Sequence, residues 1–267
     1  MKKIIPVLIA IVLIIIIVGV SFGRGIMEKY SYSQEKADLN KYFGIAGDEA
    51  AIIMQNEVIE DRARVSADGT FYITYDTVSD YFIYTRLYVN EEENTIRYVL
   101  PDRILSYNIG ESSYMDGESE NLCDYQIAFY EGDTLYIAID FIRLFTIFDY
   151  ETFREPNRIQ IYTAYGERQF VETEKDTQIR YQGGVKSEIL KEVEAGEKLI
   201  LLEQMETWSK VKTTDGFIGY VENKKLGEVQ TETPSFLNNS SMYGELEFTS
   251  ISKDYKINMG WHQVSGS

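Results

Sequence analysis

The side chains that most often perform catalysis are scarce in this chain. It has one histidine, His262, close to the C-terminus, and one cysteine, Cys123. Multi-histidine zinc sites and Ser-His or Cys-His pairs need an imidazole inside the folded region. A single cysteine cannot form an internal disulfide, so we interpret Cys123 as a small buried hydrophobic residue. We assign no catalytic residue, and we expect no bound metal or other cofactor.

Two aspartates, Asp76 and Asp140, are candidates for a carboxylate pair. Paired carboxylates can act as general acid and base. Each of these aspartates, however, follows a short apolar strand and precedes apolar residues at helical spacing. A side-chain oxygen at that place can cap the first free N–H groups of a helix. Helix capping explains both residues without a further assumption, and we therefore favour it over catalysis.

The two aspartates belong to an internal repeat. Tyr72 and Ile73 of one copy match Tyr136 and Ile137 of the other at the same offset as Asp76 and Asp140. Each copy predicts a short strand, a short helix and a β-hairpin, with hairpin turns at 90–94 and 155–157. The repeat thus predicts an α+β module over residues 46–165.

The second copy resembles a known family. Its sequence runs from Tyr136 to Ile142 in the pattern Y-I-x-x-D-F-I, and from Pro156 to Tyr162 in the pattern P-N-R-I-x-I-Y. Both segments resemble the copper amine oxidase N-terminal-like domain of exported bacterial proteins. The resemblance implies a small α+β fold and an extracellular setting but no reaction. It also implies no copper site, since members of this family bind no copper through this module.

Residues 177–226 have a different pattern. Five short apolar-alternating segments are separated by turns that contain glycine, at the spacing of a small β-barrel. Asp215-Gly216 between two such segments is a strong hairpin signal. The pattern predicts an all-β barrel over residues 170–228.

This barrel resembles the bacterial SH3 domain, SH3b. The residues that carry the resemblance are Gly196 to Leu202, Trp208 to Val211 and Asp215 to Val221. In that family, aromatic residues along one groove contact peptide or glycan of the cell wall, which implies a ligand groove at Tyr181, Trp208 and Tyr220. A tryptophan at the start of a strand in so small a barrel can equally be part of the core, and we favour that role for Trp208.

The N-terminal residues predict a membrane anchor. Ile4 to Phe22 carry no charge and are long enough for ~30 Å of hydrocarbon, whereas a cleavable signal has a shorter apolar core. Lys2 and Lys3 favour a cytoplasmic N-terminus. We predict cytoplasmic residues 1–3, a transmembrane signal anchor at 4–23, a stalk at 24–45 and a single-pass cell-membrane protein whose bulk is extracytoplasmic. A cleaved signal peptide and a buried core helix are the alternatives.

The C-terminal residues predict a linker at 229–249 and a short remnant at 250–267. Lys256 to Val264 resembles the opening strand of a family 18 glycoside hydrolase barrel. The catalytic signature of that family, D-x-x-D-x-D-x-E, does not occur in the sequence. The resemblance implies that a complete version would be a family 18-like glycoside hydrolase and that its catalytic barrel is missing here.

These patterns together predict a multi-domain protein: an N-terminal transmembrane helix, an α+β repeat module and a small all-β SH3-like barrel. The net charge of −17 repels nucleic-acid phosphates, so we exclude nucleic acid as a partner. The partners we expect are cell-wall peptide or glycan and the membrane. We favour a membrane-tethered binding and positioning region that precedes a glycan hydrolase. A stand-alone, non-enzymatic envelope interaction protein is the main alternative, and a hydrolase that uses carboxylates of the first module is a third.

Overall fold

The structure is a computed structural model that describes residues 31–82, 86–164 and 166–233. It is mostly β-sheet, with 49% strand, 10% helix and three sheets. The predicted fold class is therefore wrong. The described helices are short, namely α1 (Leu39–Phe43), α2 (Tyr75–Tyr81) and α3 (Ile139–Arg143).

The described residues form nineteen strands in three sheets. In chain order they are β1 (Glu49–Met54), β2 (Glu57–Val65), β3 (Phe71–Thr74), β4 (Leu87–Asn90), β5 (Thr95–Val99), β6 (Ile104–Asn108), β7 (Ser113–Asp116), β8 (Ser119–Leu122), β9 (Ala128–Glu131), β10 (Thr134–Ala138), β11 (Asp149–Phe153), β12 (Arg158–Tyr162), β13 (Arg168–Glu172), β14 (Thr177–Arg180), β15 (Ile189–Val193), β16 (Lys198–Gln204), β17 (Trp208–Lys212), β18 (Ile218–Glu222) and β19 (Gln230–Glu232). The first sheet has the order β11-β12-β1-β2-β3-β10-β9, the second β15-β14-β18-β17-β16-β13-β19, and the third β4-β5-β6-β7-β8.

Strand β1 lies between two hydrophobic cores. Ala50, Ile52 and Met54 are buried in the first core, which the first sheet shares with α2, α3 and the third sheet. Ala51 and Ile53 are buried in the second core, with residues of the second sheet. Side chains of a strand alternate between its two faces, so a strand buried on both faces reads as a continuous apolar run. The first and second sheets are therefore packed against each other through β1.

The repeat does not form an α+β module. Strands β3 and β10 pair antiparallel, and Ile73 lies opposite Ile137, its own equivalent in the other copy. The two hairpins that follow separate, because β4 and β5 join the third sheet whereas β11 and β12 join the first. The local pattern of each copy is similar, but the partners of its hairpin are not.

The predicted caps are also different in the structure. Thr74 is the N-cap of α2, and its hydroxyl accepts a hydrogen bond of 3.0 Å from the N–H of Thr77. The N-cap position of α3 is Ala138, which makes no side-chain cap. Asp76 and Asp140 lie in the first helical turns, and Asp140 accepts a hydrogen bond from the hydroxyl of Tyr150. A carboxylate in the first turn is favourable because it faces the positive end of the helix dipole.

The second sheet contains the five strands that the glycine-punctuated pattern predicts, as β14 to β18. Two more strands extend it, since β13 pairs with β16 and β19 pairs with β13. Residues 31–37, part of the predicted stalk, lie against this sheet, and Phe43 of α1 is buried in the second core. The predicted domain boundaries between these elements stay predictions.

No helix within residues 31–82, 86–164 and 166–233 is long and apolar enough to cross a membrane. The predicted class with a transmembrane helix, and the single-pass cell-membrane location derived from it, are corrected accordingly. The segment on which they rest, residues 4–23, lies outside the described residues. So do residues 1–3 and the predicted hydrolase remnant at 250–267.

Candidate functional site

Two of the three predicted groove residues meet on the second sheet. Trp208 begins β17, and Tyr220 lies on the neighbouring β18, where Lys210 is opposite Tyr220 and Glu222 is opposite Trp208. A Cβ placed on Gly183 would lie 3.4 Å from Trp208 Cγ and 3.6 Å from Tyr220 Cδ1. The loop between β14 and β15 therefore crosses directly over both rings.

Trp208 is not part of the second core, although the sequence favours a core role for it. The buried residues of that core include Val211 and Val221 from the same two strands, but not Trp208. The Trp208 side chain is half-buried, whereas its neighbour Ser209 is buried. A large aromatic ring that remains partly accessible can contribute apolar area to a ligand.

Tyr181 makes a different contact. It is 49% exposed, and its ring packs edge-on against Tyr42, with 5.7 Å between the centroids. The hydroxyl of Tyr42 donates to the Ile218 carbonyl at 2.6 Å and accepts from the Ile218 N–H at 3.1 Å. Burial raises the pKa of Tyr42 to about 12, although the hydrogen bond accepted from the Ile218 N–H acts against this shift. Tyr181 thus extends the exposed aromatic surface next to a firmly held ring.

An open pocket of about 880 Å³ lies beside Trp208. Its lining mixes both signs of charge, and the charged residues are Asp176, Arg180, Glu192, Glu194, Glu222, Lys224 and Lys225. We refer to it as the mixed-charge pocket. Trp208 is the one predicted groove residue that lines it. A pocket of this composition suits a ligand that carries both positive and negative groups.

Arg180 is the most deeply buried charge of the mixed-charge pocket, with an exposure of 1%. Its Nη1 donates to the Ser187 carbonyl at 2.6 Å, and its Nη2 donates to the Ser33 carbonyl at 3.0 Å. Burial lowers the pKa of Arg180, and the nearby Tyr32 and Glu222 oppose that shift. The guanidinium remains charged, because the ordinary pKa of arginine is above 12. It therefore presents a fixed cation to the pocket.

Glu222 and Lys224 also line the pocket. The Glu222 carboxylate is 10% exposed and lies 3.0 Å from Lys224 Nζ. The Tyr32 hydroxyl donates to both carboxylate oxygens, at 2.8 and 2.9 Å, and accepts from Lys224 Nζ at 2.9 Å. Hydrogen bonds with Tyr32 and Glu222 raise the pKa of Lys224. A tyrosine thus bridges the anion and the cation of the pocket.

The site offers charged and aromatic side chains that can contact a ligand. Within the described ranges there is no histidine, and no cluster of His, Cys, Asp or Glu residues could hold a metal ion. Cys123 is half-buried in the first core, where burial raises the pKa of its thiol. A raised pKa disfavours the thiolate that a nucleophilic cysteine needs.

Four residues of the site, Tyr32, Arg180, Glu222 and Lys224, are missing from the sequence-based assignment. Tyr32 lies 190 residues before Glu222 in the chain, so no local spacing connects them. Arg180 directly after the apolar Ile179 at the end of β14 is the one local signal, because a charge at a buried position needs polar partners.

No protein-family model, no curated protein and no solved structure matches this chain. The class of protein is therefore defined by the fold and the site alone: a predominantly β protein with a half-buried aromatic pair beside a mixed-charge pocket.

Proposed function

We propose that this chain is a non-catalytic binding and positioning protein whose second sheet holds a peptide of the bacterial cell wall. The observation that carries the proposal is the half-buried pair of Trp208 and Tyr220 next to the buried guanidinium of Arg180. Aromatic rings supply apolar contact area, and arginine supplies a planar donor for a carboxylate or a carbonyl.

A peptide fits the mixed-charge pocket better than a glycan does. Peptides carry carbonyl acceptors, N–H donors and terminal or side-chain charges of both signs, and the pocket wall offers Arg180, Glu222 and Lys224. An uncharged sugar would use the Trp208 ring but has no charged group to pair with Arg180, Glu222 or Lys224. Glycan is therefore the second ligand class to be tested.

In its finer part, the proposal places this binding region next to a glycan hydrolase. Lys256 to Val264 carries the resemblance to family 18 glycoside hydrolases, and a wall-binding region next to such an enzyme would keep it near its substrate by raising its effective concentration. The alternative, a stand-alone interaction protein, uses the same binding surface without an enzyme. Both versions predict that Trp208→Ala weakens binding to the cell wall.

The test is binding of the full chain to purified cell wall, to soluble wall peptides and to peptide-free glycan strands. We expect Trp208→Ala to weaken wall and peptide binding by about tenfold or more, because a well-packed aromatic anchor dominates a small interface. Tyr88→Ala is the control, since Tyr88 lies on the third sheet and is 58% exposed. Equal retention of Trp208→Ala and the wild-type chain would overturn the proposal, and binding of glycan strands alone would replace peptide with glycan.

A further inference from the structure

Residues 31–37 run along the edge of the second sheet, beside β15 and the loop that precedes it. Ser33 N–H donates to the Val185 carbonyl at 2.8 Å, Ile189 N–H to the Glu35 carbonyl at 2.8 Å, and Ala37 N–H to the Ile189 carbonyl at 2.9 Å. Lys36 and Ile189 form a parallel bridge. Addition of an extended segment to a sheet edge is a general mode of peptide recognition, in which main-chain hydrogen bonds supply the contacts.

Tyr32 is the side-chain anchor of this segment. Beyond its hydrogen bonds with Glu222 and Lys224, its ring lies 5.5 Å from the guanidinium of Arg180 and 5.7 Å from Lys224 Nζ. The next residue supplies the Ser33 carbonyl, which accepts from Arg180 Nη2. The pocket therefore binds the phenol of one residue, Tyr32, and the main-chain carbonyl of the next, Ser33.

The segment is held at its surface and adds no large side chain to a core. Tyr32 is 42% exposed, and of residues 31–37 only Ser33 and Ala37 are half-buried. The Lys36–Glu192 pair, at 3.6 Å, is exposed on both sides and contributes little. Segments with few buried apolar contacts open at low free-energy cost. The chain remains fixed just beyond the segment, because Phe43 is 1% exposed in the second core.

We propose that this face of the second sheet is an exchange site for an extended peptide that contains a tyrosine, and that residues 31–37 are its intramolecular ligand. When the segment leaves, Arg180 loses the Ser33 carbonyl and Glu222 loses the Tyr32 hydroxyl. With the segment in place, Arg180 is 1% exposed and the Glu222 side chain is 10% exposed. Buried charges that lose acceptors or donors favour a replacement of the same chemistry.

A partner peptide must reproduce three features. It supplies a phenol that donates to Glu222, a carbonyl one residue later for Arg180, and extended main chain that pairs with Val185 and Ile189. This inference rests on the proposed function only in assigning the second sheet as a peptide-binding surface, and it is tested with a defined peptide and not with wall material.

The probe is a synthetic peptide with the sequence of residues 31–37, acetylated and amidated at its ends. In the full chain, Tyr32→Ala combined with Ser33→Pro removes the phenol and the N–H that pairs with Val185. We expect this double variant to bind the probe at least about tenfold more tightly than the wild-type chain, because its own segment no longer competes at high effective concentration. A probe with phenylalanine in place of tyrosine should bind about tenfold more weakly, because it lacks the charge-assisted hydrogen bond.

Tyr88→Ala in the full chain is the control and should leave probe binding at the wild-type value. A probe that binds the double variant and the wild-type chain equally, or neither of them up to about 1 mM, would overturn the proposal. If the double variant does not fold, the hydrogen-exchange rate of the Ile189 amide is compared between Tyr32→Phe and the wild-type chain. About tenfold faster exchange supports the proposal, and unchanged exchange refutes it.

The two proposals fail in distinguishable ways. If the double variant binds the probe more tightly than the wild-type chain, but Trp208→Ala binds the cell wall as well as the wild-type chain does, the proposed function alone is refuted. If Trp208→Ala no longer binds the cell wall, but the double variant and the wild-type chain bind the probe equally, the exchange site alone is refuted.

Discussion

Arg158 and Asp215 join the first sheet to the second. Arg158 Nη2 lies 3.0 Å from Asp215 Oδ2, and Arg158 Nε donates to the Asp215 carbonyl at 2.6 Å. Arg158 is 4% exposed, and its guanidinium lies 4.6 Å from the centre of the Phe217 ring. Asp215 also accepts from Lys191 Nζ at 2.9 Å. A residue of the predicted repeat and a turn residue of the predicted barrel thus share one buried ion pair.

Asp215→Ala should destabilise the fold strongly. Burial acts to raise the pKa of Asp215, but the hydrogen bonds from Thr213 and Lys191 and the charges of Lys191 and Arg158 hold it below its usual value. Removal of this carboxylate leaves the buried Arg158 without its anion. Loss of one partner of a buried ion pair typically costs about 3 kcal/mol or more, and we expect a decrease of this size in the free energy of unfolding in urea.

The control is Asp102→Ala, which removes another aspartate–arginine pair. Asp102 and Arg103 lie 3.0 Å apart, but their side chains are 69% and 44% exposed. We expect a loss of less than about 1 kcal/mol, because water screens an exposed pair. Similar losses in the two variants would show that the Arg158–Asp215 pair does not join the sheets in solution.

Lys212 should make the stability of this protein increase with pH above neutrality. It is 0% exposed, and its Nζ donates to the Tyr162 hydroxyl at 2.9 Å, to Gln160 Oε1 at 3.3 Å and to the Gln55 carbonyl. Burial, together with the positive charge of Arg168, lowers the pKa of Lys212 to about 7. Between that value and about 10.4, the ordinary pKa of lysine, the unfolded chain binds a proton that the folded chain does not bind. A higher pH therefore favours the folded state.

The measurement is the urea midpoint between pH 7 and 9. We expect the free energy of unfolding to rise with pH, by at most about 1.4 kcal/mol per pH unit from this group. In Lys212→Met the rise should disappear, whereas in Lys210→Met, which changes a half-buried lysine of the same strand, it should persist. The same pH dependence in wild type and Lys212→Met would contradict the assignment.

Gly219 should not tolerate a side chain. A Cβ at this position would lie 2.5 Å from the Arg180 carbonyl oxygen and 2.6 Å from Ile179 Cγ2. Backbone and buried side chain cannot both move away without a change in the pairing of β14 with β18. We expect Gly219→Ala to lower the free energy of unfolding by about 3 kcal/mol, measured by urea denaturation.

Gly184→Ala is the matched control for that substitution. No atom lies within 4 Å of a Cβ at Gly184, so we expect a change within about 0.5 kcal/mol. An equally mild effect of Gly219→Ala would show that β14 and β18 are more widely separated than the structure has them.

Local elements were largely predictable, and their assembly was not. Alternation of apolar residues and turn residues such as Asp215-Gly216 predicts β14 to β18, because the strand period and the turn conformation depend on adjacent residues. The caps were misassigned because Thr74 and Asp76 both suit a helix start, and only the backbone decides which of them is the N-cap. The repeat was misread as a module, because nothing within one copy specifies which sheet its hairpin joins.

The candidate site shows the same division. Trp208 and Tyr220 are named through the resemblance to the SH3b family, but the half-buried position of Trp208 outside the second core could not be predicted from the sequence. Tyr32 is in the site through contacts with Arg180 and Glu222, about 150 and 190 positions later in the chain.

By itself the sequence determined strands such as β14 to β18, the turn at Asp215-Gly216, the excess of negative charge and the scarcity of histidine and cysteine, since each depends on residue type and near neighbours. The tertiary structure alone decided that β1 serves two cores, that Arg158 meets Asp215, and that Tyr32 closes the mixed-charge pocket. These contacts join residues far apart in the chain. Their partners are selected by the packing of whole sheets, which no local pattern encodes.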